Sequence, residues 1–279
     1  MEDQKKIGEA EKEMTFLEHL EELRWRLVRS SIAIFVFAII AFLGKSIIFD
    51  KILFAPRSAD FLTYRLFCDL SHLLTLGDKL CMGDVNITLQ NIDMSGQFSM
   101  HIMVSMVAGL IMAFPFVIYQ FWSFLKPGLK QKEIKSATGI VFYSSILFFI
   151  GVLFGYFIIG PLSLQFLGSY RVSESVESAI KLNSYISTLV SITLTTGLVF
   201  ELPIFIYFFT KIGLVTPEFL KKYRKHALVV VLILSAVITP PDITSQVLVA
   251  LPIMLLYELS IGISRRVIKQ QEKEERENS

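Results

Sequence analysis

Apolar residues along the chain gather into long runs separated by charged clusters, and three stretches, 94–125, 136–170 and 227–241, contain no Asp, Glu, Lys or Arg. A helix needs roughly 20 apolar residues to cross a ~30 Å hydrocarbon layer, so the first two stretches are each long enough to span it. Read between the charge clusters, the runs predict helices near residues 27–48, 98–124, 137–159, 183–210, 227–239 and 243–263. The fifth is short. Between Lys225 and the Thr239-Pro240-Pro241-Asp242 turn there is room for only about 20 to 22 Å of helix at ~1.5 Å per residue. Such a helix and its partner must thin the bilayer locally or shelter behind longer neighbours. Alternatively, Pro240 and Pro241 sit inside the membrane against other helices.

Composition agrees with this pattern: of 279 residues, 53% are hydrophobic and only 19% charged, with a mean hydropathy of +0.58. That is too apolar for an ordinary soluble domain. The net charge of +2 says little, but the placement of basic residues says more. Segments that face the cytoplasm if the N-terminus is inside carry fifteen basic residues near the membrane, from Arg24, Arg26 and Arg29 to Arg265, Arg266 and Lys269, against seven in the opposite segments. The expected fold is therefore all-α and integral to the membrane, with six spans and both termini cytoplasmic. Residues 1–26 form a charged cytoplasmic segment without the apolar run of a cleavable signal, 27–263 the spanning domain, and 264–279 a cytoplasmic tail whose 269–277 stretch reads as solvated and disordered. The outer loop, 49–97, has apolar residues spaced for amphipathic helices that would form a cap. Cys68 and Cys81, the only cysteines, both lie in it, on the oxidising side, where they either pair or remain two loop thiols.

Several chemistries are missing from the sequence. There is no Gly-x4-Gly-Lys-Ser/Thr phosphate loop, the four histidines lack metal-ligand spacing, and no nucleophile elbow is visible. Neither enzymatic activity, a cofactor, a metal nor nucleic-acid binding is expected. Gly151 and Gly155 form a Gly-x3-Gly pair suited to close helix packing.

Three features exceed a bland bundle. Phe16, Leu20, Leu23 and Leu27 recur at helical spacing around His19, Glu22, Arg24 and Arg26, describing an amphipathic helix at the inner surface that runs into the first span. Glu22 and Arg26 lie four apart and can pair. Acidic groups at that surface are unusual, because anionic lipid favours basic ones. The second feature is the aromatic run Tyr119-Gln120-Phe121-Trp122-Ser123-Phe124, followed by a loop in which Glu133 stands among Lys130, Lys132 and Lys135. The third is Glu201 in Phe200-Glu201-Leu202-Pro203, on the order of 15 Å from the inner edge. A carboxyl at that depth costs several kcal/mol unless it is protonated, watered or partnered, and such residues are functional by default. Pro203 can kink its helix.

These stretches together closely resemble the TatC family, the polytopic core of the twin-arginine protein translocase. The resemblance runs from about Phe16 to Ile263 and rests on His-Leu-x-Glu-Leu-Arg-x-Arg-Leu from His19, Phe54-Ala55-Pro56, Tyr119-Gln120-Phe121-Trp122 with Glu133, Phe200-Glu201-Leu202-Pro203, and Thr239-Pro240-Pro241-Asp242 with Gln246. It implies a receptor in the bacterial cytoplasmic membrane for folded cargo bearing a twin-arginine signal peptide. Its implied partners are single-span TatA-type and TatB-type proteins and membrane lipid, its assembly a homo-oligomeric receptor complex, and its energy the proton-motive force. By the same resemblance Glu22 and Glu133 bind the arginine pair, with His19, Arg24, Arg26 and Phe124 beside them. Glu201 and Gln246 contact partner helices, and Pro56, Pro203, Pro240 and Asp242 shape the fold and its outer side. The chain departs from the family pattern in a longer loop between Pro56 and Phe98 that carries both cysteines, and in Ser95-Gly96-Gln97-Phe98 where a Ser-Pro-type sequence is common. A rival reading from the residues alone is a proton-coupled solute transporter with Glu201 as its coupling carboxyl.

Overall fold

The computed structural model describes residues 16–58, 60–75, 77, 81, 88–125, 137–169, 173, 179–238 and 243–278. Helix α1, Phe16–Leu43, joins the amphipathic segment and the first span in one rod of about 42 Å at ~1.5 Å per residue. Its large apolar residues Ile32, Phe35, Ile39 and Leu43 are all more than half exposed. In water that would be a liability; against acyl chains it is the favourable arrangement. Regular α geometry stops at Leu43, short of the expected residue 48, and the stretch Ile47–Leu53, which includes Asp50 and Lys51, winds in wider turns before a 3₁₀ turn at Ala55–Arg57. Helix α2, Leu62–Leu73, then lies in the predicted cap.

α1 packs along most of the length of α3, Gly96–Leu125. The approach depends on Gly109: a β-carbon there would lie 2.6 Å from the Ala38 amide nitrogen and 2.7 Å from the Ile34 carbonyl oxygen. Backbone atoms cannot yield as a flexible side chain can, so only glycine fits. α3 also contains Pro115, of a kind tolerated within spanning helices.

The third predicted span is longer than expected. Helix α4, Ala137–Phe154, continues through wide turns at Gly155–Ile159 into α5, Gly160–Ser169. Wide turns offer carbonyls to outside donors. Here the Thr63 hydroxyl on α2 donates to the Phe157 carbonyl, and the Tyr156 hydroxyl donates to Ile52 at 2.7 Å, tying the cap to the bundle. The fourth predicted span divides into α6, Leu182–Val199, and α7, Leu202–Lys211. Pro203 lacks the N–H that would bond the Val199 carbonyl, and the Glu201 amide closes a tighter bond to Leu198 at 3.1 Å instead. The glycines at 151 and 197 seat this break: a β-carbon on Gly151 would lie 2.7 Å from Phe200 Cβ, and one on Gly197 2.7 Å from Val152.

A short helix, α8 (Pro217–Lys222), is capped by Thr216, whose hydroxyl accepts from the Phe219 amide at 3.2 Å. Helix α9, Arg224–Ile238, is about 22 Å long at ~1.5 Å per residue, the short fifth span the sequence predicts. Among the described residues, five helical stretches are long and apolar enough to cross a membrane, and α9 is not one of them. It packs against α10, Ile243–Asn278. The tail expected to be disordered belongs to α10: its helix continues to Asn278, and Gln271 Nε2 donates to the Lys211 carbonyl at 3.0 Å, so neighbouring α7 supports the extension.

The cap was legible only in part. A two-stranded parallel ribbon that the apolar pattern does not announce joins β1, Thr88–Gln90, to β2, Ala179–Lys181, with Leu89 opposite Ile180. Pro56 is fully buried and its carbonyl accepts from Tyr64 Oη at 2.8 Å; burial pushes the Tyr64 phenol up to about 12, so it keeps its proton to donate. Cys68 and Cys81 form a disulfide spanning 13 positions, which closes the loop after α2.

Inside the bundle small polar residues hold the contact surfaces: Ser144, Ser163, Ser235, Ser260 and Ser264 are wholly buried. Without water competing for the inside of a membrane bundle, close packing by small residues and interhelical hydrogen bonds draws helices together.

Two outcomes follow from this packing. Gly109→Leu should force α1 away from α3 and lower the thermal midpoint of the detergent-solubilised protein, overpacking of this kind costing roughly 1–3 kcal/mol. Gly262→Leu, at a site with nothing within 4 Å, should leave the circular-dichroism melt unchanged. A charged maleimide should label Cys68 and Cys81 only after dithiothreitol, and the Cys68→Ser, Cys81→Ser variant should lose up to ~3 kcal/mol of cap stability, seen as faster protease cleavage of the loop.

Candidate functional sites at one end and at the centre of the bundle

The first site forms where the start of α1 meets the end of α3. Glu22 and Arg26, one helical turn apart, are both only about a quarter exposed or less, at 24% and 21% of their side-chain surface. Arg26 Nε donates to Glu22 Oε1 at 3.0 Å, and Nη2 donates to the same oxygen. Its remaining nitrogen, Nη1, reaches Gln120 Oε1 on α3 at 3.5 Å. Glu22 Oε2 is buried with no hydrogen-bond partner among the described residues. Beside the pair, the His19 ring stacks on Phe124 with centroids 4.3 Å apart and planes 20° apart. The fold thus gathers His19, Glu22, Arg26 and Phe124, which the sequence scatters over more than a hundred positions. Arg24, two residues from both acid and base, points elsewhere and is exposed. Glu133, Pro240 and Asp242 lie outside the described residues.

The second site is Glu201, 4% exposed at the α6–α7 break. Ser144 of α4 donates to its Oε2 at 2.6 Å, while Oε1 is buried without a partner among the described residues. Phe114 and Phe148, stacked with centroids 3.6 Å apart, join α3 to α4 one turn along from Ser144. A groove of about 600 Å³, lined by Tyr143, Leu147, Pro203, Tyr207, Leu256 and Ile263 among others, opens between α4, α7 and α10; its lining flanks Ser144 in sequence and starts two residues after Glu201 but includes neither. Gln246 does not join Glu201 in a hydrogen bond: its Nε2 donates to the Leu232 carbonyl at 3.0 Å, clasping α9 to α10. Pro203 is buried at the start of α7, as its kinking role requires.

Sequence reasoning passed over two participants. Gln120, 6% exposed, is the only group linking the first site across to α3 by hydrogen bonding among the described residues; an amide within an uncharged run was the available signal. Ser144 gave none, because nothing separates it in sequence from the bundle's other serines.

Fold and sites define a polytopic α-helical membrane protein with a basic–acidic pair at one end and a caged carboxyl within. The model of the family described as "Sec-independent protein translocase protein (TatC)" matches residues 18–252. A relative of that name from Blattabacterium sp. subsp. Periplaneta americana is 43% identical over 92% of this chain and 97% of its own length. TatCy of Bacillus subtilis is 32% identical over 94% and 92% respectively. A crystal structure titled as the twin arginine translocase receptor TatC superposes with a TM-score of 0.69 at 32% identity, over 90% of this chain and all of that one. The chain belongs to the TatC family. It is a multi-pass protein of the cytoplasmic membrane and a component of the Sec-independent, twin-arginine translocase.

Ser144→Ala should strand Glu201 without a donor and lower the melting midpoint, by roughly 1–3 kcal/mol for an unsatisfied buried group. Ser144→Thr, which retains the hydroxyl, should lose less in the same measurement.

Proposed function

We propose that this chain is the translocase subunit that receives the twin-arginine signal, using carboxylates at the α1–α3 end to select the arginine pair. The observation that carries the reading is Glu22, a half-buried acid already shaped to hold a guanidinium, set beside the His19–Phe124 stack. Two guanidinium groups leaving water need fixed carboxylates, and arginine offers a planar fork that a lysine ammonium lacks. The stacked rings present an aromatic face suited to a guanidinium. Glu133, on the segment after α3, supplies the second carboxylate. Both termini then lie in the cytoplasm, consistent with the excess of basic residues on those segments.

Single-span TatA-type and TatB-type proteins are the partners in this reading. Glu201, its Oε1 unpartnered, contacts a polar group on a partner helix at the groove between α4, α7 and α10, and Gln246 offers a second contact at the α9–α10 pair. In hydrocarbon such hydrogen bonds contribute about 1 kcal/mol each, so several must act together. Several copies of the chain assemble in the receptor complex, and the proton-motive force drives export. The solute-transporter alternative receives no support from the family, whose members are named as protein translocase components.

The full chain in lipid nanodiscs should bind a twin-arginine peptide at least tenfold more tightly than its twin-lysine counterpart, about 1.4 kcal/mol. The Glu22→Gln, Glu133→Gln variant should lose that preference in a fluorescence-anisotropy titration; undiminished binding would refute the reading.

A further inference from the structure

Neither oxygen of Glu22 is open to an incoming ligand. Oε1 is covered by two nitrogens of Arg26, and Oε2 has essentially no accessible surface. An arginine arriving from outside the chain can therefore reach this carboxylate only if Arg26 moves. The structure also shows where Arg26 can go: its third nitrogen already lies 3.5 Å from Gln120 Oε1, a long contact that shortens if the guanidinium swings toward α3. Gln120 is buried at 6% exposure, so its amide is a fixed acceptor rather than a mobile surface group.

We propose that Arg26 occupies the signal's binding site as a resident guanidinium, and that binding is an exchange in which the arriving arginine takes Glu22 while Arg26 shifts to Gln120. The proposal rests on the reading of Glu22 as an acceptor for the signal. Displacing the resident costs the same whichever cation arrives, so the preference for arginine stays with the fit of its fork to Glu22, while the exchange lowers the affinity of every arriving cation. Arg26 and Gln120 are thus positioning residues that set the threshold for binding rather than further anchors. The resident pair also keeps the acid from attracting stray cations at a membrane surface rich in them.

The test measures binding of fluorescent twin-arginine and twin-lysine peptides to the full chain in nanodiscs, reading each affinity. Arg26→Gln should tighten both peptides about tenfold, because neither any longer displaces a resident. Gln120→Glu, which draws Arg26 off Glu22 by charge, should tighten both with Arg26 still present, and it serves where Arg26→Gln fails to fold. Gln120→Leu, which removes the acceptor, should weaken both severalfold. Weaker or unchanged binding in Arg26→Gln and Gln120→Glu overturns the exchange. If instead the unaltered chain shows no preference for arginine, or Glu22→Gln binds as well as the unaltered chain, the receptor reading itself fails; a preference abolished by Glu22→Gln with no tightening in Arg26→Gln or Gln120→Glu sinks the exchange alone.

Discussion

Within hydrocarbon a polar atom has no water to turn to, so each one must find its partner in the protein, and much of this structure follows from that requirement. Helices satisfy their own backbones, and where they cannot, at the wide turns of Gly155–Ile159, the cap's Thr63 hydroxyl is placed on the Phe157 carbonyl while Tyr156 donates back to Ile52. Serines fill the contact surfaces because a small side chain both admits close approach and bonds to a carbonyl one turn back, as Ser235 does to Val231 and Ser260 to Leu256. Glycine completes the scheme at 109, 151 and 197, where neighbouring helices come so close that a β-carbon would collide.

Satisfaction is incomplete at several buried atoms among the described residues, Ser105, Trp122, Ser163 and Thr196 included, and two of them belong to carboxyls. Glu201 has one oxygen bonded to Ser144 and one with no partner, and Glu22 has one oxygen held by Arg26 and one sealed away. Leaving an acceptor unpaired in a buried setting is costly, and such groups concentrate where another molecule is to supply the missing donor. The two half-satisfied carboxyls differ in depth and in chemistry. Glu201 sits at a helix break among apolar rings, suited to meeting another helix. Glu22 sits at an end of the bundle beside basic and aromatic groups, suited to meeting a peptide cation. On the proposed reading, Glu22 recognises the signal and Glu201 meets other subunits.

The cap and the pairing of short α9 with long α10 frame these sites. The disulfide and the Tyr64–Pro56 bond brace the described part of the outer loop internally, the parallel ribbon joins it to residues 179–181, and Thr63 ties it to the wide turns. At the other side of the bundle, Arg224 pairs with Glu258 at 2.6 Å and the Tyr257 hydroxyl donates to Leu220, anchoring short α9 and α8 to long α10. A helix of about 22 Å is shorter than the ~30 Å layer and depends on such neighbours.

The periodicity and charge placement of the sequence determined the spanning helices, the shortness of α9 and the Glu22–Arg26 spacing, because each depends on neighbours within a few turns of one chain. The same local signals named Glu201 as exceptional, since a carboxyl within an apolar run is costly whatever surrounds it. They misjudged 269–277, whose charged composition suits solvent as well as helix until α7 offers the Lys211 carbonyl to Gln271. Pro203 announced the break at Phe200–Glu201, whereas the Ser144 bond, the meeting of Gln120 with Arg26 and the pairing of Cys68 with Cys81 were decided by tertiary structure alone. Each needs two segments brought together in space, and a pattern that repeats every 3.6 residues carries no record of which distant face it will touch.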